Sequence, residues 1–224
     1  MSISGINLYQ NGASDCSDCS INDVPTTRYS NPFCDYNTNN NIFTNPLKLD
    51  EKLTVYQINE INYVETKYHE NKKIYQSISN KVMQKTGKYI PPELIASIHY
   101  RESGCNFKTY FHNGEPLGKK TKNHPKGIYF DNFEDSAVDA IIRVGVKNIK
   151  NNDIESYMDF AERFNGLGYR KNGRTSPYVW SGTTKYKGGM YVADHKFSST
   201  AKDKRCGVAV LYNHISDGSR NFLA

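Results

Sequence analysis

The stretch PPELIASIHYRESGCNFKTYFHNG, residues 91–114, decides how this chain is read. Pro91 and Pro92 suit the first turn of a helix, whose leading N–H groups have no intrahelical acceptor, so a missing donor costs nothing there. Leu94, Ile95 and Ile98 fall on one face at helical spacing, and Gly104 stands where helices commonly stop, because glycine takes the left-handed capping conformation without strain. The spacing predicts a short buried helix that carries Glu102 in its last turn. A carboxylate there faces the negative end of the helix dipole, and partial burial adds a desolvation cost; both raise its pKa. A carboxyl still protonated near neutrality is what a general acid for glycosidic cleavage requires. The plainer alternative is an exposed glutamate at a helix end.

The rest of the chain bounds what that helix can belong to. With 224 residues there is enough for one domain with a sizeable core and an appendage. The net charge of +6 and a pI near 8.9 favour contact with polyanions such as cell-wall polymers, membrane surfaces or nucleic acid. The basic residues are scattered, however, and form neither a basic arm nor a nucleic-acid motif, so nucleic acid is not expected as a partner. No apolar run reaches the length of a membrane span. The opening MSISGINLYQNG has neither the basic nor the apolar region of a secretory signal, so export by lysis, by a holin-like route or within a particle is expected. Five cysteines cannot all pair within one chain, and free thiols from a reducing cytoplasm are the default.

Residues 1–50 are rich in Asn, Ser, Thr and Asp, lack periodicity, and read as an extended or irregular arm with aromatic and apolar residues spaced along it. Cys16, Cys19 and Cys34 offer three thiols there. A structural zinc site wants four ligands, and free thiols or a local disulfide are the alternatives to a site completed from elsewhere. Residues 51–70 read as a linker helix, and 71–224 as the main domain, opening with a helix that Gly87 ends. Residues 106–130 carry NG, EP, LG, HP and KG turn signals between aromatic clusters and predict a small β-hairpin lobe. Helices are expected over 132–149 and again after the capping residue Asp153, with Gly166 as the stop. Residues 169–194 read as a long irregular loop with a short helix near 176–181, and 202–215 as the closing helix. The fold class is therefore α+β, mainly α.

The segments IHYRES, NFKTYFHNGEPL, FNGLGY, SPYVWSGT and GGMYVAD, in this order, resemble a phage peptidoglycan hydrolase of the lysozyme superfamily, whose relatives are goose-type lysozymes and soluble lytic transglycosylases. The similarity covers roughly residues 72–215. It implies a lysozyme-like helical domain that cuts the β-1,4 bond between N-acetylmuramic acid and N-acetylglucosamine. It also implies a virion-associated enzyme whose partners are peptidoglycan and, through residues 1–50, other phage virion proteins. A soluble endolysin and an inactive structural virion protein are the alternatives. No cofactor and no metal site are expected.

Under that resemblance Glu102 is the general acid, and Ser103 matches the residue that follows the catalytic Glu and either positions it or caps the helix. An inverting hydrolase needs a second carboxylate; Glu115 in the HNGEP turn is the candidate, with Asp131 behind it. A lytic transglycosylase needs one acid only. Asn165 and Tyr169 match a motif that lines the transglycosylase cleft, although FNGLGY departs from the usual YNAG form. Tyr178, Trp180 and Tyr191 are candidate platforms for sugar faces, with core packing as the alternative for Trp180. His112 reads as a loop hydrogen-bonder. No wall-binding repeat is recognisable at either end.

Overall fold

The computed structural model describes residues 51–193 and 195–216. The arm expected over residues 1–50, its three thiols and its anchoring role lie outside the described residues. Among the described residues there are eight α-helices and one two-stranded antiparallel sheet, a mainly α member of the α+β class.

Helix α1, Val55–Glu70, opens on a capping box: the Gln57 N–H donates to the Thr54 hydroxyl, and the Thr54 N–H donates to the Gln57 side chain. After Asn71 the chain continues as α2, Lys72–Thr86, which Gly87 ends in the left-handed region. The quoted stretch forms α3, Pro92–Ser103, with Pro92 in the first turn and Gly104 as its left-handed cap. Leu94, Ile95, Ala96, Ile98 and His99 are fully buried, because α3 packs against α1, α2 and α8 (Val208–Ser216). Helix α4, Phe133–Val144, and α5, Ile154–Glu162, are capped by Asn132 and Asp153, whose side chains accept from Asp135 N at 2.9 Å and Ser156 N at 2.8 Å. The short helices α6, Gly168–Lys171, and α7, Pro177–Trp180, follow.

Four sequence expectations are corrected. Residues 51–70 are not a linker outside the domain. Ile61, Val64 and Tyr68 of α1 lie in the same core as α3 and α8, and the buried Glu60 accepts from the Tyr100 hydroxyl and from Cys206 N. The β-hairpin is not in residues 106–130, which contain no strand and only one isolated bridge, between Thr109 and Pro116. Prolines without an N–H and glycines at positive φ interrupt any ladder there. The lobe closes instead on the buried Tyr110, whose hydroxyl donates to the Lys119 carbonyl at 2.9 Å and accepts from Phe130 N at 2.7 Å.

Of the two strands, β1 Met190–Ala193 lies at the end of the irregular loop expected over 169–194, and β2 Lys196–Ser198 lies just beyond it. Tyr191 pairs with Phe197 across the ladder, their ring centres 5.4 Å apart. Finally, the closing helix starts at Val208 rather than 202; the residues before it are tied to other elements, Asp203 accepting from Arg101 and the Cys206 N–H donating to Glu60. Gly207 permits the tight join of α7 and α8: a Cβ there would stand 2.3 Å from the Val179 carbonyl oxygen. No helix among the described residues is long and apolar enough to cross a membrane.

Candidate active site

Everything at the site is built on the way α3 ends. The Gly104 N–H donates to the Tyr100 carbonyl at 2.8 Å, and Gly104 and Cys105 are both left-handed, at φ 63° and 62°. Two such residues in succession turn the chain back over the helix end. The returning HNG turn then lies on Glu102: a Cβ added at Gly114 would meet the Glu102 carbonyl oxygen at 3.3 Å. Gly114, at φ 74°, is thus required by conformation and by proximity.

The Glu102 carboxyl is partly buried, and the buried Tyr178 of α7 donates its hydroxyl to Oε1 at 2.8 Å. Burial pushes the carboxyl up to about 7, against the Tyr178 hydrogen bond and the charges of Arg101 and Arg205, which pull it down. Burial and the neighbouring carboxyl hold the Tyr178 hydroxyl well above its ordinary value, so it stays a donor. Behind this pair the Arg101 guanidinium centre lies 5.1 Å from the Tyr178 ring centre. Arg101 is itself locked: Nη2 meets Asp203 Oδ2 at 2.7 Å, with side-chain exposures of 2% and 7%, and Nη1 donates to the Cys206 carbonyl at 3.1 Å. A charge pair this buried is fixed by geometry, since either partner alone would be a desolvated ion.

The other expected site residues divide. Ser103 lies beside the Gly114 turn, its hydroxyl at 3.5 Å from the His99 carbonyl. Asn165 is exposed just beyond α5. Glu115 has its carboxylate committed to its own loop: it accepts from Lys122 N at 2.8 Å, Asn123 N at 2.7 Å and Asn113 Nδ2 at 3.1 Å. Those backbone donors hold its pKa below the usual value, and the side chain closes the 113–123 turn. Asp131 accepts from Asn132 Nδ2 at 3.2 Å. Two of the expected substrate contacts, the platform Tyr178 and the cleft-lining Tyr169, are structural. Tyr178 is buried as the partner of the acid, and Tyr169 is buried with its hydroxyl accepting from Tyr191 N at 3.0 Å. Tyr191 is half-buried, packed edge-on against Tyr169 and Phe197. Trp180 packs against the core and carries Lys185 Nζ 4.0 Å from its ring centre.

Sequence reasoning missed Arg101 and Asp203 and misread Tyr178. Arg101 precedes Glu102 directly, but nothing in the sequence ties it to a residue 102 positions away. His99, one turn before Ser103, is caged by Phe107, Phe111 and Phe133 and held to about 3 by burial, so it is neutral and takes no part in proton transfer near neutrality.

Two hollows flank the region. One, of about 910 Å³, includes Lys52, Lys187, Lys202, Lys204 and Asp203 in its lining. The other, of about 550 Å³, includes His112, His124, Arg143 and Arg163. Glu102 lines neither; the Arg101–Asp203 pair joins it to the first and the HNG turn joins it to the second. Among the described residues no group of three or more His, Cys, Asp or Glu is placed to hold a metal ion.

Comparison with protein-family models, with curated proteins and with solved structures returns no match for this chain. What fold and site define is thus a mainly helical α+β protein with a carboxyl, at a helix C-terminus, that burial raises to about 7.

Proposed function

We propose that the protein cleaves glycan strands of peptidoglycan, at the β-1,4 bond between N-acetylmuramic acid and N-acetylglucosamine, with Glu102 as general acid. The observation that carries the reading is the Glu102 carboxyl, raised to about 7 by burial and held at Oε1 by Tyr178. With Oε1 accepting from a phenol, the proton resides on Oε2 and is available to the leaving glycosidic oxygen. As the C–O bond breaks, the carboxylate that forms is stabilised by the hydrogen bond already in place and by the Arg101 charge. Because the donor does not reorient, little reorganisation is needed during the step.

The commitment of Glu115 to its own loop supports the single-acid route over the two-carboxylate route. In that route Glu102, once deprotonated, takes the proton of the muramic 6-hydroxyl as that oxygen attacks C1, giving a 1,6-anhydro end. We also propose that the enzyme acts as part of a phage particle, opening the wall locally. The positive net charge suits an anionic wall.

The test is mass spectrometry of muropeptides released from purified peptidoglycan by the wild type and by Glu102→Gln. A 1,6-anhydro end supports the transglycosylase route, a reducing end the hydrolase. No release by the wild type sinks the enzymatic reading and leaves a structural role. Quantifying the protein in purified particles separates a virion enzyme, at fixed copy number, from a soluble lysis enzyme.

A further inference from the structure

The 550 Å³ cleft beside the HNG turn is lined by His112, His124 and Pro125 from the 106–130 lobe, by Arg143 from α4, and by Arg163 and Phe164 from just beyond α5. Its charge is one-sided. Arg163 makes no ion pair among the described residues, whereas Arg143 shares the single carboxylate of Asp139 with His112. Asp139 Oδ2 takes the Arg143 Nε–H and lies 3.0 Å from His112 Nε2. A carboxylate only accepts, so His112 Nε2 carries the proton and Nδ1 is a bare acceptor. The His112 side chain is only 4% exposed, and its Nδ1 has no hydrogen-bond partner. A buried polar atom left this way is destabilising until something donates to it.

These features select a ligand. A guanidinium without a partner takes a carboxylate through two parallel hydrogen bonds, an unfilled acceptor takes an amide N–H, and Phe164 and Pro125 supply an apolar wall. A neutral N-acetylglucosamine offers the second but not the first, and the muramic lactyl carboxyl is tied up in the amide bond to the peptide. An acidic peptide offers all three, with carboxylate and amide N–H a few bonds apart. The cleft adjoins the turn that packs on the end of α3: Gly114, two residues after His112, lies against the Glu102 backbone carbonyl.

We propose that this cleft is a subsite for the acidic peptide carried by the glycan strand, with Arg163 as its carboxylate ligand and His112 as acceptor for an amide N–H. The inference rests on the glycan-strand reading and narrows it: the preferred substrate is peptide-bearing strand, not bare glycan.

The experiment measures binding by calorimetry in the Glu102→Gln background, with and without Arg163→Gln, so that turnover does not intervene. The probes are a peptide-bearing glycan oligomer, a bare and neutral N-acetylglucosamine oligomer of the same length, the free acidic peptide, and inorganic phosphate. The expected result is that Arg163→Gln weakens the peptide-bearing oligomer about tenfold or more and leaves the bare oligomer unchanged. Arg163→Lys, which keeps the charge and loses the planar fork, should fall between, and it serves where Arg163→Gln does not fold. Equal loss on both oligomers, or no loss on either, overturns the proposal. Phosphate binding as tightly as the peptide with the same Arg163 dependence also overturns it, since the cleft is then a general anion site. Arg163-dependent binding of free peptide with no binding of either oligomer keeps the subsite and sinks the glycan reading. Binding of the bare oligomer to which the peptide adds nothing does the reverse.

Discussion

Glu102 and Glu115 belong to two segments that meet at one turn, with Gly114 against the Glu102 carbonyl, yet their carboxyls are driven in opposite directions. Glu102 ends a buried helix and receives a single side-chain hydrogen bond, from a neutral phenol. Glu115 sits in a turn and receives two backbone N–H groups and an asparagine amide. Burial with few donors disfavours the charge; several convergent donors in a wetter setting favour it. The first group is poised to keep its proton towards neutrality, and the second is held as a carboxylate that clasps its own turn. Residue type and proximity do not tell them apart; the donor count and the desolvation do.

The largest effect that bears on this contrast is on chemistry. Glu102→Gln should lower muropeptide release by about 10²–10⁴-fold, the usual contribution of a general acid, with the far-ultraviolet circular dichroism unchanged. The same variant carries a stability signature. The folded carboxyl holds its proton up to about pH 7 whereas the ordinary value is 4.5, so unfolding releases a proton between these values and wild-type stability falls as pH rises through the window. Glu102→Gln lacks that loss and should be the more stable protein above neutrality, by about 1–3 kcal/mol after discounting for partial exposure. Urea unfolding at several pH values reads it, and parallel wild-type and variant curves would remove the basis for a raised carboxyl.

Next comes the scaffold behind the acid. Asp203→Asn leaves Arg101 buried without its counter-ion and should cost about 3–5 kcal/mol in urea unfolding. In whatever folded fraction remains, the freed Arg101 charge should draw the Glu102 pKa down and move the alkaline limb of the pH–activity profile to lower pH. Tyr178→Phe should act with the opposite sign. Losing a hydrogen bond that favours the carboxylate raises the Glu102 pKa, and the limb should move up by about one unit or less. Equal shifts of the same sign in both variants would break the assignment of the two roles.

The smallest effect belongs to the other side of the comparison. Glu115→Gln should change activity by no more than about twofold, while amide exchange at Lys122 and Asn123 speeds up because one of their two acceptor oxygens is gone. A loss of activity as large as that of Glu102→Gln would instead make Glu115 a second catalytic carboxylate and merge the two regions into one site.

Much of α3 was legible because its signals are local. Prolines at its start, an apolar face and a glycine stop are each a consequence of backbone chemistry within a few residues. The same holds for the caps Asn132 and Asp153. The hairpin was misplaced because turn residues mark both a strand pair and an irregular lobe. What made residues 106–130 a lobe was the buried Tyr110 gathering carbonyls and an amide from across it, and that is a tertiary arrangement. Helix α1 read as a linker because its stripe is loose and its flanks are polar. The carboxylate it buries, Glu60, finds its partners on α3 and before α8, 40 and 146 residues away.

At the site, the sequence alone determined that a glutamate would end a buried helix beside a glycine stop, since helix termini are written in neighbouring residues. That its carboxyl would be raised to about 7, that Tyr178 would hold it rather than stack on a sugar, and that Arg101 would be locked by Asp203 were decided only by the tertiary structure. Proton affinity depends on desolvation and on donors and charges within about 3–6 Å; here the donor, Tyr178, lies 76 residues beyond Glu102, and the carboxylate that fixes Arg101 lies 102 residues beyond Arg101.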